Sequence, residues 1–149
     1  MILRKGLWSG RGSVLTEGAS LGQSISLDVA VVDELDGLTI TGEITDSYAL
    51  PLSLRIAPNE VGTYVIDARL GKVALDGIAK LESEPNHALL WHESGIYSAS
   101  LSLFSIGGGL GCRGFFRDEK GILTWEIQLQ SKQQAVGGAN VVSLARRRR

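Results

Sequence analysis

Between residues 6 and 130, apolar and polar side chains alternate with a period of two, and Gly, Asp, Asn or Pro interrupts the alternation at short intervals. A period of two sends successive side chains to opposite faces, which is the pattern of a half-buried antiparallel strand. Helical stripes are scarce. The clearest pair of strands begins with Ile25, Leu27, Val29 and Val31, which alternate with Ser24, Ser26, Asp28 and Ala30. Glu34-Leu35-Asp36-Gly37 follows, and Leu38, Ile40, Gly42 and Ile44 then alternate with Thr39, Thr41, Glu43 and Thr45. Asp-Gly accepts the positive φ of a primed turn, so this stretch predicts a hairpin.

Ten strand candidates succeed one another at 6–15, 24–31, 38–45, 51–56, 62–68, 73–81, 88–92, 97–104, 110–116 and 122–130. Most connections are of hairpin length, and Pro58-Asn59, Leu70-Gly71, Pro85-Asn86 and Ser94-Gly95 mark some of the reversals. An open sheet of that many twisted strands curls, and closure removes its two edges. The expected fold is therefore all-β, an antiparallel meander of about ten strands closed into a barrel. A β-sandwich is the alternative, because counting strands does not reveal closure. The 19 glycines against 3 prolines and 1 methionine agree with this. Glycine costs a helix about 1 kcal/mol relative to alanine, but hairpins, bulges and bent barrel strands need it.

The 149 residues suit one domain. The β-barrel domain is expected over residues 1–132, and residues 133–149 lose the alternation and read as a flexible basic C-terminal tail. The net charge of −1 hides an asymmetry, because four of the fifteen basic residues are the run Arg146 to Arg149. The other eleven face sixteen acidic residues, so the body carries −5. No aromatic interleaving accompanies the arginines, and nothing beyond charge supports nucleic-acid binding.

No apolar run approaches the roughly 20 residues of a membrane-spanning helix. Met1-Ile2-Leu3-Arg4-Lys5-Gly6 has no apolar signal core after its basic pair. A cytoplasmic location without membrane association is expected. The lone Cys112 has no partner for an internal disulfide, and no His/Cys cluster offers three metal ligands, so no metal site is expected. Self-association into a homodimer is compatible with the sequence.

Leu123, Trp125, Ile127 and Leu129 share one face of the last strand, and Tyr97, Ala99, Leu101 and Leu103 share one face of an earlier one. Both sets are expected to point inward. A small barrel either fills its interior with such side chains or keeps room for one small ligand. Ala74, Ala79, Ala88 and Ala99, with glycines at 10, 12, 42, 77 and 114, favour a cavity.

The opening Gly6-Leu7-Trp8-Ser9-Gly10-Arg11-Gly12 resembles the Gly-X-Trp start of the first strand in lipocalins. It is similar also to the Gly-X-Trp-X-Gly-X-Gly start of nitrobindin-like barrels. Both belong to the calycin-like group of small barrels, which includes the fatty-acid-binding proteins and binds apolar molecules in the interior. The resemblance implies a calycin-like barrel in which Trp8 closes one end. In lipocalins a late-strand arginine packs over this tryptophan, and Arg113 matches it by location. Nitrobindins ligate haem through a histidine near the C-terminus. Here the only histidines are His87 and His92, well before the last two strands, so haem at that site is not expected and no other cofactor is implied.

His92 ends a strand beside Trp91 and Glu93, where it could move a proton at the barrel mouth, whereas His87 in its Pro85-Asn86 turn reads as surface. No Gly-X-Ser-X-Gly elbow occurs, and Gly107 to Gly111 lacks the Lys-Ser/Thr of a phosphate cradle. Arg55, Arg69 and Arg113 lie in strand-like segments, and an inward arginine could fork onto a ligand carboxylate. Arg113 is the first choice because Gly111 and Phe115 share its face, while Cys112 reads as a small filler.

Three functions follow. The first is a lipocalin-like carrier of a small apolar or amphipathic molecule, with Trp8, Tyr97 and Trp125 as walls, His92 at the mouth and Arg113 as anchor. The second is a cofactor-free isomerase or cyclase in which His92, Tyr97 or Glu126 moves a proton. The third is a filled barrel acting as an interaction domain.

Overall fold

The computed structural model describes residues 1–132, so the expected tail lies outside the described residues. Ten strands appear in chain order: β1 (Gly6–Thr16), β2 (Gln23–Glu34), β3 (Gly37–Asp46), β4 (Leu50–Pro58), β5 (Tyr64–Leu70), β6 (Val73–Lys80), β7 (Asn86–Trp91), β8 (Ser98–Ile106), β9 (Gly109–Asp118) and β10 (Gly121–Ser131). One turn of 3-10 helix, Glu60–Gly62, was not foreseen. Every strand pairs antiparallel with the next, and β1 pairs with β10 from Trp8 opposite Ser131 to Thr16 opposite Leu123. The meander is therefore a closed barrel, and the sandwich alternative is set aside.

The alternation decides which side chains are inside. β2 and β3 align Leu27 with Ile44 and Val31 with Ile40, both pairs inward, while Asp28 and Glu43 face out. Their turn differs from the expected primed one. No positive φ occurs at Leu35 or Asp36; Gly37 takes φ +147, and a Cβ there would lie 2.0 Å from the Ile56 carbonyl oxygen. Gly12 answers a different demand. A Cβ on it would fall 1.8 Å from the Glu126 carbonyl oxygen, so β1 and β10 run together there only because that position is bare.

The strand ends define two unlike ends of the barrel. Trp8, Val31, Ile40, Ile56, Leu81, Leu103 and Leu129 are buried together toward one end. The segment before β1 packs there too. Leu3 is buried, the Ile2 N–H donates to Asn86 Oδ1 at 2.9 Å, and Trp8 Nε1 donates to the Arg4 carbonyl at 2.8 Å. Asn86, 1% exposed, also donates through Nδ2 to the carbonyls of Ser83 at 2.9 Å and Leu81 at 3.3 Å. Its buried polar atoms are thus satisfied, which makes a polar residue tolerable in an apolar seal. The opposite end, ringed by the turns after β1, β3, β5, β7 and β9, is the mouth.

Candidate ligand cavity

The mouth half of the barrel is not filled. A cavity of about 440 Å³ runs inward from the mouth. Ile44, Leu50, Leu52 and Leu54 of β3 and β4 form one wall, Leu101, Cys112, Phe116 and Trp125 of β8 to β10 the other, and Ala68, Leu75, Leu90 and Ala99 deepen it. These residues line it because their strands present every second side chain inward, and the small Ala68 and Ala99 stand where the sealed end has leucine and isoleucine. The other small residues named from sequence contribute differently. Ala79 and Ala88 are buried opposite one another in the sheet, and Ala74 is exposed on the outer wall because Val73 and Leu75 take the inward positions. Gly10 is covered by Leu129 and Ile127, and Gly77 by Leu90, so neither leaves room.

Polar functions in the lining are few. Cys112 projects inward, and burial pushes its thiol up from the ordinary value, with the neighbouring Trp125 indole partly offsetting this. Tyr48, Arg69 and Asp118 stand on the margin. Asp118 already accepts backbone N–H bonds from Lys120 at 2.8 Å and Gly121 at 3.2 Å, which closes the β9–β10 turn.

The five residues expected to bind a ligand fall in different places. Trp125 lines the cavity. Tyr97 stands at the mouth, stacked on Phe116 with ring centroids 6.2 Å apart, and His92 meets the Tyr97 ring edge-on at 5.6 Å. The His92 ring is tied into its own loop, because Nδ1 accepts the Ser94 N–H at 3.1 Å and lies 2.7 Å from Ser94 Oγ. Trp8 is buried at the opposite end and does not line the cavity.

Arg113 requires a correction. It lies on the outer wall, with Nε 3.2 Å from Glu126 Oε1 and its guanidinium carbon 5.3 Å from the centroid of Phe104. Leu110, Cys112, Gly114 and Phe116 take the inward positions of β9, so Gly111, Arg113 and Phe115 do share a face, but it is the outer one. Arg113 neither anchors a ligand inside nor packs over Trp8. The same alternation sends Glu126 outward, so it cannot act on a molecule in the cavity. Arg113 and Glu126 instead border a solvent-open depression of about 470 Å³ on the outer wall, with Ser13, Ser20 and Thr124.

No histidine is placed to ligate haem in the cavity. His87 lies on the outer wall, its Nδ1 2.8 Å from Ser102 Oγ, and neither histidine lines the interior. Among the described residues no three His, Cys, Asp or Glu side chains cluster as a metal site would require.

Sequence reasoning missed the β3–β4 wall and Tyr48. The signal was present in the alternation of Leu50, Leu52, Leu54 and Ile56, but not the depth at which the packing ends. Comparison of the chain with protein-family models finds no match, and comparison with curated proteins finds none either.

Proposed function

We propose that the protein is a calycin-like carrier that holds one elongated apolar or single-headed amphipathic molecule in the mouth half of its barrel. The observation that carries this reading is the cavity of about 440 Å³ with an apolar interior and its charged side chains only at the margin. That volume lies within the roughly 300–1,000 Å³ of small-molecule sites. At about 30 Å³ per molecule it corresponds to some 15 waters, which would find almost no hydrogen-bond partners on these walls. An apolar chain removes that mismatch. At about 0.8 kcal/mol per buried methylene, a chain of roughly sixteen carbons gains about 13 kcal/mol. Subtracting about 5 kcal/mol for lost freedom of motion leaves about 8 kcal/mol, which corresponds to micromolar affinity.

A polar head belongs at the mouth, near Tyr48, because the sealed end is apolar and closed by Trp8. Charged residues face outward on many strands, including Arg11, Asp28, Arg55, Asp76, Arg113 and Glu126. This is the reverse of the apolar outer band of barrels that span a bilayer, and it supports a water-facing carrier.

The test is native mass spectrometry with an absorbance scan, on protein purified without denaturation. The expected result is a bound small molecule in one-to-one stoichiometry. An empty mass, followed by no thermal shift with fatty acids, haem or aromatic compounds, would overturn the reading.

A further inference from the structure

The outer wall of β5, β6 and β7 carries an apolar stripe that nothing among the described residues covers. Val65, Ile78 and Leu89 are 42%, 44% and 52% exposed and stand side by side in register. On the mouth side the stripe is bordered by Asp67, Asp76 and the 42% exposed Trp91, also in register with one another. Lys80 and His87 border it on the sealed side. Asp67 and Asp76 are thus directly opposite, an arrangement that weakens strand pairing in an isolated chain. Arg55 stands opposite Asp67 from β4, but its guanidinium turns to Glu34 at 3.2 Å. Among the described residues the side chains of Asp67, Asp76 and Lys80 have no ion pair or hydrogen bond.

We propose that this face is a homodimer interface, on which a second copy of the chain lays its own Val65, Ile78 and Leu89. In a two-fold dimer the axis lies in the plane of contact. An axis along the strands would set acidic row against acidic row. An axis along the stripe sets the acidic row of each copy against the basic row of the other. Charge selects the second arrangement, in which Asp76 faces the partner's Lys80, Lys80 faces the partner's Asp76, and Trp91 lies against the partner's His87. The two symmetric ion pairs supply the counter-charge that Asp76 lacks within the chain. The face is small. Three strands about 4.8 Å apart, used over about five residues of 3.3 Å each, give much less than the roughly 800 Å² per partner of a standard interface. The dimer is therefore weak and concentration-dependent.

The test is sedimentation velocity of the full chain from micromolar to millimolar concentration, with circular dichroism to check the fold of each variant. The wild type is expected to move from 15.9 kDa toward twice that mass. Asp76→Lys and Lys80→Asp each bring like charges together, and each is expected to weaken association about tenfold. The double exchange restores opposite charges and returns it to within about threefold of wild type. Ile78→Lys abolishes it. A wild type that stays monomeric throughout, or association indifferent to the single reversals, would overturn the proposal. So would a monomer that floats with phosphatidylcholine–phosphatidylglycerol vesicles through Ile78, since the occupant of the stripe would then be lipid.

Discussion

Leu129 and Leu54 both point into the barrel, but truncating them is expected to have very different costs. Leu129, 3% exposed, lies in the sealed half against the bare Cα of Gly10. Leu129→Ala deletes three carbons, about 2.4 kcal/mol of transfer free energy at 0.8 per methylene, and leaves a void that the close-packed surroundings fill only in part. Adding that void brings the expected cost to about 4 kcal/mol, within the range of such truncations. Leu54 borders the existing cavity. Its truncation loses only part of the transfer free energy and enlarges a space that is already open, so about 1 kcal/mol is expected. Urea unfolding of ligand-free protein, followed by tryptophan fluorescence, measures both variants against wild type. A gap near 3 kcal/mol fits a barrel packed at one end only. Equal costs would refute that division, because the mouth half would then be packed as tightly as the seal. Saturation with a cavity ligand should raise the cost of Leu54→Ala and leave that of Leu129→Ala nearly unchanged.

Further outcomes are expected from single changes. Gly12→Ala should destabilise by about 3 kcal/mol or more in urea, since its Cβ would lie 1.8 Å from the Glu126 carbonyl oxygen, whereas Gly22→Ala, with nothing nearer than 3.4 Å, should stay within about 0.5 kcal/mol. Arg113→Ala should change stability by less than about 1 kcal/mol and ligand affinity by less than about twofold, because its ion pair with Glu126 is exposed on the outer wall. Cys112 should alkylate slowly near neutral pH and faster as pH rises toward its raised value, levelling off above it, with bound ligand protecting it. The folded chain holds the thiol proton more tightly than the unfolded one, so the Cys112 contribution is complete below the unfolded pKa and is lost as pH climbs through the folded one. Cys112→Ser should reduce that alkaline loss in urea titrations at several pH values.

The strands were legible because the alternation is nearly unbroken and the turns carry Gly, Pro, Asn or Asp. Closure was legible only as a preference for removing edges. The pairing of Trp8 with Ser131 joins the two ends of the domain, and no local pattern encodes it. In β10 the inward face was unmistakable, since Leu123, Trp125, Ile127 and Leu129 oppose Thr124, Glu126, Gln128 and Gln130. In β9 it was not. Leu110, Cys112, Gly114 and Phe116 oppose Gly111, Arg113, Phe115 and Arg117, and both faces mix small and large residues, so spacing alone does not tell that Arg113 lies on the outer one. The open half was legible least of all. Whether an inward leucine meets another side chain or empty space depends on its height along the barrel, which sequence spacing does not record.

Three tryptophans at three depths allow the central claim to be measured directly. Trp125 lines the cavity, Trp91 lies on the outer wall and Trp8 sits in the seal. In Trp-to-Phe variants that retain only one tryptophan each, titration with a dibrominated long-chain alcohol reads contact with the chain through heavy-atom quenching. The carrier account expects saturable one-to-one quenching of Trp125, with Trp91 unaffected and Trp8 affected little. Quenching confined to Trp91, or none at Trp125 while the alcohol remains soluble, would contradict it.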